Sequence, residues 1–275
     1  MIPPKYFPFT KPQYELKIGA VPLQPGEKLI EIDENLDAEL ALKRACLAED
    51  PNYYFQELPH SAAAQAEALQ LVASCAGLHR AGCLPPLRIA GDNVQEDLLL
   101  LDANQTGLPL IAGHLCFANA WDLNEKMGKS FMAIHDPVPG FDSSIGPPSE
   151  KLLERLKPDR PVTRLNWAVK STGQLDLTSR WASTVARLNA EVSRDNAGSH
   201  CWFRIERQTL SRLPLTNTVL FTVRTYTQPI NTLSSDQRQL IHGVLQTCPE
   251  SMLRYKGISP FIRPLLEYLS LQDSH

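Results

Sequence analysis

The sequence predicts an α+β fold, on three observations. Segments with strand character cluster in the middle and late parts of the chain, segments with helical periodicity stand at both ends and between them, and no regular β-α-β alternation occurs, which favours antiparallel pairing. With 275 residues, 43% hydrophobic and 21% charged, the chain can bury a sizeable core. Neither an internal repeat nor a Gly/Ser tract marks a boundary, so residues 1–275 are expected to form one domain with helical extensions at both ends.

The elements follow in order. Residues 1–35 are extended and broken by prolines. Asp37 opens a helix that carries Leu40, Leu47 and several alanines and that Pro51 ends. Ser61 can cap a second helix over 62–80, where Ala66, Leu69, Val72 and Ala76 recur at helical spacing. Gly82, Pro85 and Pro86 stop it. Short strands are expected at 87–90, 97–101 and 108–112, the last two joined through the turn chemistry of 102–107. Helices at 124–129 and 149–157, a strand at 164–169 and a helix at 178–193 come next. Two clear strands, 202–210 and 218–226, flank a short loop holding Pro214, and helices after Ser235 and Pro260 close the chain.

Composition excludes several classes. There are 27 basic and 30 acidic side chains, dispersed, so neither a nucleic acid nor an anionic membrane surface is an expected partner. No purely apolar run exceeds four residues, 98–101 being one, against the roughly 20 residues a membrane-spanning helix needs. The start of the chain lacks a signal-peptide pattern, and the six cysteines form no CxxC pair. Reduced thiols in the cytoplasm are the expected state, without a structural zinc or iron–sulfur cluster in this chain. Dinucleotide, phosphate-loop, zinc-protease, nucleophile-elbow and CxxCH motifs are all missing, and the seven histidines show no paired metal spacing.

Two segments carry chemistry. In the first, Phe131-Met132-Ala133-Ile134-His135-Asp136-Pro137-Val138-Pro139-Gly140, a histidine follows four apolar residues and precedes a proline-stiffened path. A well-aimed imidazole in apolar surroundings suits an axial haem ligand; it equally suits a buried histidine bonded to backbone. In the second, period two puts Trp202, Arg204, Glu206 and Gln208 on one face of a strand and Phe203, Ile205 and Arg207 on the other. On the next strand Thr222, Arg224 and Tyr226 share a face. If the polar faces of the two strands coincide, Arg204, Glu206, Gln208, Arg224 and Tyr226 form one surface, able to hold carboxylates and a cation or to pair as a solvated face.

The stretches IHDPVPG and RIERQTLSRLP…VLFTVRTY resemble the haem-dependent oxidative N-demethylase family. So do residues 12–19 and 30–33, Gln95-Glu96-Asp97-Leu98, Asn166-Trp167 and Tyr255-Lys256-Gly257, in the expected order. The resemblance implies a PAS-like antiparallel sheet with flanking helices and a haem b site. It implies oxidation of a small secondary amine, dimethylamine-like, by O2 to a primary amine and formaldehyde. FMN, a 2Fe–2S cluster and NADPH would act through a flavin/iron–sulfur reductase subunit, and a folate-binding subunit would take up formaldehyde. Carried over by position, His135 is the expected proximal ligand to the iron. Arg204, Arg207 and Arg224 are expected at the haem propionates, Glu206 at the substrate ammonium, Gln208 at iron-bound oxygen, and Tyr226 in the polar distal pocket. The alternative is a non-catalytic haem-binding sensor, since fold does not fix function. The chain departs from the family pattern at 215–218 and at 119–120, both in loops.

Overall fold

Seven strands form one sheet in the computed structural model, which describes residues 5–78 and 82–271. They are β1 (Val21–Pro22), β2 (Phe55–Glu57), β3 (Asp97–Asp102), β4 (Leu110–His114), β5 (Val162–Lys170), β6 (Trp202–Arg212) and β7 (Thr218–Pro229). Their spatial order is β1-β5-β6-β7-β3-β4-β2, and every pairing is antiparallel. The architecture is therefore α+β, as expected, and is compatible with a PAS-like sheet.

The long pair β6–β7 forms the spine, and its register runs from Trp202↔Pro229 to Arg212↔Val219. One face is covered at each end by helices. At one end Phe203, Ile205 and Val169 pack under the C-terminal helices Ser235–Thr247, Glu250–Tyr255 and Ile262–Leu271. At the other, Leu98, Leu100 and Leu220 meet the helices Ala62–Ala76 and Pro86–Gly91. Between the two apolar ends lies a buried band of charge, described below. On the second face Leu99, Leu101, Leu210 and Val219 pack against the segment that carries Leu115, Leu123 and Leu153.

The N-terminal segment is extended, as its prolines require. Phe9 packs edge-on to Trp167 at 5.0 Å, and the Tyr14 amide donates to the Thr247 hydroxyl at 2.8 Å, which ties the segment to the C-terminal helices.

Residues 87–90 are not a strand. They lie in the helix Pro86–Gly91, with Pro86 in its first turn and the Leu87 amide donating to Gln65 Oε1 at 3.3 Å. A four-residue apolar run does not distinguish strand from helix; a proline at the first helical position, with no amide to lose, favours the helix. The strand expected at 108–112 begins two residues later, because Leu108 sits at φ 48° in the turn after Gly107. The second helix ends at Ala76, where left-handed Gly77 caps it, so its expected end at Arg80 falls outside the described residues.

Close approach also fixes Gly91. A Cβ there would lie 2.3 Å from Cγ of His114, a fully buried ring whose Nε2 donates to Asp92 Oδ1 at 2.8 Å. Gly91→Ala is expected to destabilise the protein by about 1–3 kcal/mol through overpacking, read by urea unfolding.

Candidate functional site

A cleft of about 900 Å³ opens against the second face of the sheet. Leu99, Leu101, Leu210 and Phe221 form its floor, and Phe131, Ile134, Phe141 and Leu153 line its other wall.

His135 enters from the C-terminal end of a single helical turn, Phe131–Ile134. Ser130 caps that turn by accepting from the Ala133 amide at 3.2 Å. The His135 amide donates to Met132 O at 2.9 Å, and its ring stacks on Phe141 with centroids 4.5 Å apart and planes 9° from parallel. Nδ1 lies 2.8 Å from Phe131 O. A carbonyl only accepts, so Nδ1 carries the proton and Nε2 presents its lone pair, the arrangement typical of a metal-bound histidine. Nε2 has no hydrogen-bond partner among the described residues. Burial, only partly opposed by the Phe131 carbonyl, pushes the ring's pKa down to about 4, so the imidazole is neutral near pH 7.

The polar part of the cleft comes from β5 and β6, whose register sets Arg164 opposite Gln208 and Asn166 opposite Glu206. Glu206 Oε2 accepts from Asn166 Nδ2 at 3.1 Å and Gln208 Nε2 at 3.0 Å, while Oε1 lies 3.4 Å from Arg204 Nε. Gln208 Oε1 in turn accepts from Arg164 Nη1 at 3.2 Å. Tyr255 and Lys256 also line the cleft. Lys256 Nζ donates to Trp167 O at 2.7 Å, and Lys170 Nζ to Lys256 O at 2.8 Å. Burial lowers the pKa of Lys256 to about 8 and of Lys170 to about 7.

His135, Glu206 and Gln208 therefore share one cleft. Arg204 lies on the same face, but its side chain is 1% exposed and donates to the carbonyls of Leu175, at 3.0 Å, and Phe117.

The expectation that Arg224 and Tyr226 join this surface is corrected. Directly opposed residues of an antiparallel pair share a face, and the register pairs Arg224 with Arg207 and Tyr226 with Ile205. Both therefore lie on the opposite face, in the buried charged band. Arg224 reaches Asp33 and Glu39, each at 2.7 Å, and Tyr226 donates to Glu31 Oε2 at 2.6 Å. Arg207 touches the cleft lining from that opposite face, with its Nη2 on Lys28 O at 2.7 Å and its Nε 3.9 Å from Glu31. These guanidinium groups are committed to protein partners.

Arg164, Asn166, Tyr255 and Lys256 had no assigned role in the sequence reading. Period two on the strand at 164–169 already sets Arg164 and Asn166 on one face, which was the available signal.

Asp97, His114 and Cys116 also offer ligand atoms within 4.8 Å of one another, all buried. Asp97 is already satisfied: it accepts from the Cys116 and Phe117 amides at 2.8 Å each, and Lys43 Nζ lies 3.8 Å away. The buried ammonium occupies the electrostatic role a cation would take there.

A family model described as "haem-dependent oxidative N-demethylase, alpha subunit-like" matches residues 77–266, more than two thirds of the chain. The match takes in β3 to β7, His135, the polar strip on β5 and β6, and the Tyr255–Lys256 pair. A neutral imidazole that lines a cleft with apolar walls, and whose Nε2 has no hydrogen-bond partner among the described residues, fits the haem that this description names. The chain belongs to the haem-dependent oxidative N-demethylase, alpha subunit-like family.

Proposed function

We propose that this chain is the haem-binding unit of an oxidative N-demethylase acting on a small secondary amine. The observation that carries the reading is His135, with Nδ1 tied to Phe131 O at 2.8 Å and Nε2 left to the cleft. His135 would hold the iron, and the apolar walls would enclose a non-covalently bound haem b, there being no CxxCH. Bound haem supplies the iron at which O2 is activated.

The chain's own residues supply binding and order. Glu206 takes the substrate ammonium, and Asn166 and Gln208 hold its carboxylate in place through Oε2. Gln208, held between Arg164 and Glu206, would polarise the pocket in which O2 reacts. Phe131, Phe141 and Leu101 exclude water from the reacting methyl group. The overall change balances: a methylated secondary amine, O2, two electrons and two protons give the primary amine, formaldehyde and water. The electrons would come from NADPH through a partner reductase carrying FMN and a 2Fe–2S cluster, and a folate-binding partner would take up the formaldehyde. This assigns the chain to the cytoplasm and treats it as a single haem-binding unit.

The test is the absorption spectrum of the purified chain, oxidised and dithionite-reduced, titrated with dimethylamine. A haem spectrum that shifts with the amine is expected. A spectrum indifferent to every secondary amine points instead to a haem-binding sensor, and absence of haem uptake ends both readings. Glu206→Gln is expected to keep the haem spectrum and weaken the amine's effect roughly 10- to 100-fold, since it removes a charged hydrogen-bond acceptor. Unchanged amine affinity would remove Glu206 from the site.

A further inference from the structure

Two cations in the cleft have no carboxylate of their own. Among the described residues Arg164 makes one hydrogen bond, to the uncharged Gln208 amide at 3.2 Å, and its buried Nε has no partner. Lys256 donates to Trp167 O at 2.7 Å and stands 4.4 Å over the Trp167 ring. Neither has a carboxylate within ion-pair distance among the described residues. Glu206 is the acidic group that both feel, but its oxygens are already engaged by Arg204, Asn166 and Gln208. Lys170 and Arg204 add positive charge around the same carboxylate. Asp97 and Asp176 also act on Arg204, so the shortage of negative charge in this partly desolvated space falls on Arg164 and Lys256.

We infer that Arg164 and Lys256 form a carboxylate-binding pair in the cleft, beside Glu206. The guanidinium fork has its Nε edge unpaired, and an edge of that kind matches the two oxygens of a carboxylate. Lys256, whose Nζ also lies 3.5 Å from Oδ1 of the Asn166 that bonds Glu206, contributes a point charge. The ligand carboxylate has two sources: a propionate of the bound porphyrin, or the acid group of the amine substrate itself. In the second case the substrate is a zwitterion of the N-methyl amino acid type, with its ammonium on Glu206 and its carboxylate on Arg164. The inference rests on the haem-and-amine reading of the same cleft.

The experiment uses the full chain, freed of haem, and its Arg164→Gln and Lys256→Gln variants. Each is titrated with haem and with haem dimethyl ester, which lacks the free propionates. The haem-loaded proteins are then titrated with dimethylamine and with N-methylglycine. If a propionate is the ligand, the wild-type chain prefers haem to its diester, and Arg164→Gln loses roughly 10- to 100-fold of that preference while the histidine-ligated spectrum persists. If the substrate supplies the acid, haem uptake is unchanged in Arg164→Gln, but N-methylglycine loses roughly 10- to 100-fold more affinity than dimethylamine does. Lys256→Gln moves the same quantity by less. An Arg164→Gln protein that matches wild type in both titrations overturns the inference and leaves the haem reading standing. A wild-type chain that takes up no haem sinks the haem reading instead. Calorimetry of N-methylglycine on the haem-free proteins then decides the pair: binding lost in Arg164→Gln upholds it, and no binding to wild type ends it.

Discussion

If His135 holds the iron as proposed, His135→Gly is expected to change the haem spectrum and to weaken haem binding by more than the roughly 10- to 100-fold that loss of a hydrogen-bond partner behind a ligand costs a metal site. The direction follows from the geometry of one ring. Nδ1 is fixed by a 2.8 Å bond to Phe131 O, Phe141 stacks on the ring at 4.5 Å, and Nε2 is the nitrogen left over. Burial holds the pKa near 4, so no proton competes with iron for that lone pair at neutral pH. Removing the ring also removes an aromatic contact worth about 0.5–1.5 kcal/mol, so the variant should fold with a small loss of stability. Added imidazole should enter the vacated space and restore a wild-type-like spectrum. The spectra of variant, wild type and imidazole-rescued variant decide the matter, and an unaltered spectrum in the variant would refute the assignment.

The apolar setting of His135 was readable in advance because it is local. Four apolar residues before it and Pro137 and Pro139 after it set both its surroundings and its direction. The faces of β6 were readable for the same reason, since alternation within a strand needs only the strand. What joins β6 to β7 was not. The register depends on the geometry of residues 213–217, where the Leu213 amide closes on Thr218 O at 2.8 Å and Asn217 adopts φ 54°. A shift of one residue in such a loop exchanges every side chain between faces, and no periodicity in either strand reports it. The partners of Arg224 were hidden by distance along the chain, since Glu39 lies 185 residues away. Arg164 was hidden in another way: what distinguishes it is a missing carboxylate, and that depends on the placement of every acidic residue in the fold.

The corrected position of Arg224 makes a prediction of comparable size and opposite character. Arg224→Leu is expected to destabilise the protein by about 3–5 kcal/mol, the range for breaking a buried ion pair from one side, and to leave haem affinity and spectrum unchanged. The side chain is 1% exposed and holds Asp33 and Glu39, each at 2.7 Å, so the substitution strands two carboxylates beneath the sheet. The pH dependence follows from the acids left behind. Burial already raises the pKa of Glu39 against the pull of Arg224, and without that pull it rises further. The native variant then binds more protons than its unfolded chain in the window between the ordinary glutamate pKa and the raised one. Its stability therefore increases as pH falls through that window, and the deficit relative to wild type narrows. Urea unfolding of both proteins at a series of pH values measures this directly. A deficit that is constant with pH would mean the stranded acids are not its cause. An Arg224→Leu protein of wild-type stability that had lost haem would return Arg224 to the haem pocket, against the register that places it on the other face.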